Sequence, residues 1–271
     1  MYRIHQIILK PGESADCLPE KILKKLGPSG RGLVISQWKI VKESIDARDK
    51  TDIKLVYSVD FTVASAANPK KKATLKLKNR QGLEIAPDMN YKQAVTMTGA
   101  PRMTQRPVIV GFGPAGMFAG LILARAGYRP LILERGQDVD ARTASVERFW
   151  KTGLLDTESN VQFGEGGAGT FSDGKLTTGI KDSRIRKVLN ELVRAGCPED
   201  ILYKQKPHIG TDILRTVVKS IREEIKSLGG EIRFGCRVED IVIEEDVTEH
   251  GSQGREGGSQ SRECGSEVRK C

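Results

Sequence analysis

The segment whose residue types and spacing most directly specify chemistry is Gly111-Phe112-Gly113-Pro114-Ala115-Gly116. In such a pattern Gly111 permits a tight turn, Gly113 lets the backbone approach a pyrophosphate, and Gly116 lets a helix pack on the strand before it. A helix opening at Pro114 and Ala115 presents free N–H groups and a partial positive charge to the phosphates. Glu134 follows roughly twenty residues on, where a carboxylate accepts hydrogen bonds from a ribose 2′-OH and repels a 2′-phosphate. The hexapeptide alone is weak evidence, so its context matters. Val108 to Val110 reads as a strand before it, and Met117, Leu121, Ile122 and Ala124 form the apolar side of a helix closing at Gly127. Pro130 to Leu133 then reads as a second strand, completing a βαβ unit. A dinucleotide site is the favoured reading; a merely structural glycine turn is its rival.

A second glycine-rich stretch, Phe163 to Leu176, holds Gly164, Gly166, Gly167, Gly169 and Gly174 with Ser172, Asp173 and Lys175. Such a segment can wrap backbone donors around an anion. A flexible surface loop is the alternative. Lys175 suits a cation beside such an anion or a solvated lysine equally well. Arg135 either flanks an adenosine or lies on the surface. His208, in KPHIGTD, is a loop histidine without a visible partner and is set aside as structural. No catalytic residue is named.

Magnitude shows that the glycine turn cannot bind a nucleotide alone. A helix N-terminus contributes about 0.3–1 kcal/mol toward an anion, whereas micromolar retention needs ~8 kcal/mol. Contacts to the base, the ribose and the rest of the nucleotide must supply the remainder.

The chain from Arg106 to Glu245 resembles the uncharacterised FAD-dependent dehydrogenase family, a branch of the two-dinucleotide-binding-domain flavoproteins. The residues that carry the resemblance are RPVIVGFGPAGMFAGLILARAGYRPLILERG, FGEGGAGTFSDGKL and KPHIGTDILRTVVKSIREEIKSLGGEI, with ISQWKIVKESIDARDKTDIKLVYSVDF in the leader. The resemblance implies FAD as the cofactor, with Gly166, Gly167, Gly169 and Lys175 along its pyrophosphate and ring, and Arg237 and Val238 beside the adenine. Members of that family continue well beyond this point, so the resemblance implies an N-terminal portion whose closing segment is missing.

The elements that must position these residues fall into three stretches. Residues 1–100 read as a small α+β leader, with strands at Tyr2–Lys10, Leu33–Val41 and Asp52–Ala64 and a helix at Leu18–Leu26. Alternation of Ile53, Leu55, Tyr57, Val59, Phe61 and Val63 predicts a sheet with one buried and one wet face. Ile85 to Gln105 reads as a linker. Residues 106–246 read as an incomplete Rossmann-like α/β domain. It includes amphipathic helices at Asp182–Ala195 and Asp212–Leu228 and strands at Glu231–Phe234 and Val238–Ile243. Residues 247–271 are rich in Gly, Ser, Glu and Arg and predict a disordered tail.

Composition excludes several classes. Hydrophobic residues at 38% and charged residues at 29% suit a globular chain. No apolar run approaches the roughly 18 residues of a membrane span, and the N-terminus lacks a signal pattern, which predicts a cytoplasmic protein. The five cysteines have no metal-ligand or redox spacing. The net charge of +9 is concentrated in NPKKKATLKLKNR (68–80), but aromatics are only 5% of the chain, so no nucleic-acid partner is expected. The expectation is an FAD-binding oxidoreductase acting on a small-molecule donor or acceptor. An NAD-binding dehydrogenase domain, or a nucleotide-binding protein without turnover, are its alternatives.

Overall fold

In the first hundred residues, strands rich in β-branched and aromatic side chains build an antiparallel sheet. The computed structural model describes residues 1–75, 82–89, 91, 105–172, 174–176, 178–244 and 265–267. Strand β1 (Tyr2–Leu9) is followed by helix α1 (Leu18–Leu26), β2 (Leu33–Asp46), β3 (Lys54–Ser65), β4 (Asn68–Lys72) and β5 (Leu83–Ile85). The order across the sheet is β2-β3-β1-β5, with β4 turning back on β3, and every pairing is antiparallel. Helix α1 presents Leu18, Ile22 and Leu26 on one stripe, and these bury against Ile4, Ile7, Leu9, Tyr57, Val59, Phe61 and Val63. Full burial of such a side chain contributes about 1.5–3 kcal/mol, so packing rather than helix propensity holds this short helix in place. The helix matches its expected bounds. Strand β2 runs five residues past its expected end at Val41. The expected linker begins one residue late, because Leu83–Ile85 pairs with β1; its residues 90 and 92–104 lie outside the described residues, as do residues 76–80 of the basic stretch.

The second run of elements is parallel. Strand β6 (Val108–Val110), helix α2 (Pro114–Arg125) and strand β7 (Leu131–Leu133) form the expected βαβ unit, with Val108 opposite Leu131 and Val110 opposite Leu133. Helix α3 (Val139–Thr152) comes next, an element that sequence reasoning missed. Its signals were present: the Asp138 carboxylate accepts from the Asp140 and Ala141 N–H groups at 3.0 and 3.2 Å, and the helix stops at Gly153 with φ of 73°. Helices α4 (Arg184–Arg194) and α5 (Thr211–Ser227) occupy the two amphipathic stretches. Strand β8 (Glu231–Arg233) pairs parallel with β7, giving the order β6-β7-β8. The strand expected from Val238 starts only at β9 (Val242–Glu244), which belongs to a separate two-stranded sheet. Most of the expected tail lies outside the described residues; Gly265–Glu267 forms β10, paired antiparallel with β9.

The fold is therefore mixed α/β, with antiparallel and parallel sheets. The chain divides into two compact units, one of Met1–Ala100 with Asp173–Val217, the other of Pro101–Ser172 with Val218–Cys271. The sequence reading had residues 106–246 as one continuous domain; instead 173–217 belong with the leader. That corrects a second expectation. The supposedly wet face of β3 buries Ser58 and Asp60. Asp60 takes a two-pronged contact from Arg3 at 2.6 and 3.0 Å, and Arg186 of α4, in the same unit, is close enough to feel both charges. Among the described residues, no helix is long and apolar enough to cross a membrane.

Candidate nucleotide site

The glycine turn of the second unit is fixed from two directions. Gly111 has φ of 89° and donates its N–H to the Leu133 carbonyl at 2.7 Å, tying the turn to the end of β7. A Cβ on Gly116 would strike the Gly111 carbonyl oxygen, so α2 reaches the turn only because this residue lacks a side chain. One turn later Gly120 faces Ile132, where an added Cβ would meet its Cδ1 at 2.6 Å. Helix α2 opens at Pro114 without a side-chain cap. Its first turn therefore carries N–H groups that neither helix nor cap satisfies, together with the positive end of the dipole.

Glu134 is buried, and its two oxygens are shared out over the backbone. Oε2 accepts from the Phe112 N–H at 2.7 Å and Oε1 from the Gly136 N–H at 2.9 Å. Its first duty is to brace the glycine turn against the end of β7. A carboxylate oxygen has more than one lone pair, so each still has acceptor capacity.

The second glycine stretch packs on the first. Gly166 donates to the Phe112 carbonyl at 2.9 Å, and a Cβ on Gly167 would lie 3.0 Å from Pro114 Cδ and 3.4 Å from Gly113 Cα. What holds that loop is a fully buried arginine on α3. The Arg142 guanidinium donates to the carbonyls of Asn160, Glu165, Gly167 and Val161 at 2.8, 2.6, 2.9 and 3.0 Å. Loss of hydration lowers its pKa to about 10, and it stays charged at neutral pH. Beside it, Glu165 is buried, accepting from the Val139 N–H at 2.7 Å and pairing with Arg222 at 2.6 Å. Burial pushes the Glu165 carboxyl up from its usual range, and the Val139 N–H and Arg222 only partly offset this.

These segments enclose a cleft of about 310 Å³, at the lower end of the range for ligand sites. Gly111, Gly113, Glu134, Arg135, Gly167 and Val238 line it, so the structure brings half of the expected cofactor residues together. Pro114, Ala115 and Gly116 adjoin it at the start of α2. Three further residues do not line it. Gly166 is buried against Thr170 and Val218 rather than facing the cleft, and Gly169 is exposed with open space around it. Lys175 belongs to the other unit, where it forms a short antiparallel bridge with His208. Glycine count could not reveal this, because neighbouring glycines in one loop face different surroundings.

Sequence reasoning missed Cys236 and Glu158 and gave Phe163 no role of its own, whereas Arg237, expected beside the adenine from the resemblance, does line the cleft. The Arg135 guanidinium stacks 4.0 Å from the centre of the Phe163 ring. Glu158 joins the two arginines, accepting from Arg135 at 3.0 Å and from Arg237 at 3.2 Å. These pairs are half-exposed and contribute little to stability, about 0–1 kcal/mol each. Their effect is to hold two guanidinium groups at one rim of the cleft. The arrangement is suited to gripping an anion and a flat ring.

A family described as "Domain of unknown function (DUF8436)" matches residues 1–62. An "Uncharacterized protein" of Clostridium beijerinckii (strain ATCC 51743 / NCIMB 8052) is 49% identical over 247 residues, covering 91% of this chain and 45% of the relative. The chain thus spans about half the length of that relative.

Proposed function

We propose that the protein binds a dinucleotide in the cleft of its second unit, that FAD is this nucleotide, and that the protein belongs to a flavin-dependent oxidoreductase. The parallel sheet would then be the opening portion of a Rossmann-like domain. The observation that carries the reading is the packing of two glycine segments over the uncapped start of α2, with the cleft between them. A Cβ on Gly167 would crowd Pro114 where the segments meet. Merely structural turns have no need of an open helix terminus beside a cleft.

The residues fit the group in a definite order. N–H groups at the start of α2 would hold the pyrophosphate. The remaining lone pairs of Glu134 would accept from the ribose hydroxyls, and Arg135 with Arg237 would flank the adenine. Bound FAD supplies hydride and electron transfer; the chain's own residues bind and orient it. The resemblance of FGEGGAGTFSDGKL to the FAD-dependent dehydrogenase family favours FAD over NAD, which Glu134 would suit equally. In this reading the partner is a small-molecule electron donor or acceptor, in the cytoplasm, without nucleic acid or membrane.

Flavin titration followed by fluorescence quenching tests the proposal. Saturable FAD uptake is expected, weakened by Gly113→Val. Cys236 lines the cleft, so bound nucleotide should also slow its alkylation, read by peptide mass spectrometry. Uptake of NAD without FAD would move the assignment to a nicotinamide enzyme. Failure of both nucleotides to bind or to protect Cys236 would remove the proposal.

A further inference from the structure

The first unit contains a cleft of its own, of about 750 Å³, lined by Glu43, Asp200, Lys204, Lys206 and His208 among others. One sequence motif that the nucleotide reading leaves unused, KPHIGTD, lies along this cleft with its Lys206, Pro207 and His208. The segment from Tyr203 to Ile209 forms a strap pinned along both edges. On one side Glu43 donates to the Tyr203 carbonyl at 2.8 Å, and Gln205 donates to the Glu43 carbonyl at 2.9 Å. On the other, Leu176 donates to the Pro207 carbonyl at 3.0 Å and Ile209 to the Gly174 carbonyl at 2.8 Å. A Cβ on Gly174 would collide with the Ile209 carbonyl oxygen, so the second edge depends on that glycine.

Between the two pinned edges lies Lys206, with φ of 58°. This is left-handed backbone, strained for a lysine and easy for a glycine. The strap thus holds a long cationic side chain at the one position where a residue without a side chain would be cheaper.

The charges along the cleft are unequally matched. Lys204 is paired with Asp200 at 2.7 Å. Glu43 lies beside the Tyr57 hydroxyl, which burial first and then this carboxylate push up to about 12. Lys206 and His208 have no ion-pair partner among the described residues.

We propose that this cleft binds a small oxyanion, a carboxylate or a phosphate, through the Lys206 ammonium and the His208 imidazole. Glu43 accepts a hydrogen bond from a hydroxyl or amine elsewhere on the same ligand. The volume falls within the roughly 300–1,000 Å³ of small-molecule sites. Binding here requires no nucleotide, so it is read even if the flavin reading fails.

The test is calorimetric titration of the protein with succinate and, separately, with inorganic phosphate, while NMR follows the His208 ring. Saturable binding of either anion with movement of the His208 resonances is expected; the tighter arm says whether the natural ligand carries carboxylate or phosphate. Losing one charge-assisted hydrogen bond should weaken binding about tenfold in Lys206→Gly, while leaving the melting temperature unchanged or higher. Lys206→Arg should retain most of the affinity. Should the glycine variant fold poorly, Lys206→Asn removes the charge while tolerating left-handed backbone. Absence of saturable binding for both anions overturns the proposal, and so does unaltered binding in a folded Lys206→Gly or Lys206→Asn protein.

Discussion

Glu134, Arg142 and Glu165 are buried ionisable side chains beside the glycine-lined cleft, and the first two direct their polar atoms to the backbone rather than to solvent. Glu134 was legible, because an acid after the second strand of a βαβ unit stands out. Its two backbone partners were not, since Phe112 and Gly136 lie on either side of it in the chain. Arg142 went unnoticed in the sequence, and only the fold shows it buried among four carbonyls. Glu165 makes the clearest prediction at this scale. Its pKa is raised above the ordinary 4.5, so the folded state binds that proton more tightly than the unfolded state. Its favourable contribution is therefore present below about pH 4.5 and is lost as pH rises through the higher folded value. Glu165→Gln should flatten the stability-versus-pH curve above about pH 4.5, measured by urea denaturation from acid to neutral pH. An unchanged slope would show that Glu165 stays ionised throughout.

Among the elements, α1 and the β6-α2-β7 unit were readable because each is specified by neighbours in sequence. Periodicity set the helix stripe, and glycine placed the turn. Gly116 joins these levels. Gly116→Ala pushes a methyl group into the Gly111 carbonyl, and overpacking of this kind costs about 1–3 kcal/mol. Denaturant titration should register the loss, and FAD affinity should fall with it because the start of α2 must move. A variant as stable as the parent would mean that the turn relaxes freely. Helix α3 was passed over because its apolar residues are sparse, and its caps carry the signal in place of a stripe.

For the molecule as a whole, the unexpected feature is the membership of residues 173–217 in the first unit. Their arrival explains why the second face of β3 is not wet. The Arg3–Asp60 pair is consequently buried, with side-chain exposures of 10% and 2%. Removing one partner leaves the other charge without compensation. Asp60→Ala is expected to cost about 3–5 kcal/mol, read as a lower denaturation midpoint, whereas an exposed pair such as Arg48–Asp46 should lose far less. If both substitutions have the same small effect, the second face of β3 is open to water after all.

By itself the sequence determined what is local: the glycine turn, the helix stripes, and the strands that alternate in polarity. Hydrogen bonds between near neighbours and a period of 2 or 3.6 residues suffice for these. Tertiary structure alone decided which glycines face the cleft, that Lys175 lies with His208, that Lys206 is held in a left-handed turn, and that Arg142 is buried. Each depends on segments far apart in the chain coming within a few ångströms, and burial and charge pairing act only over that range.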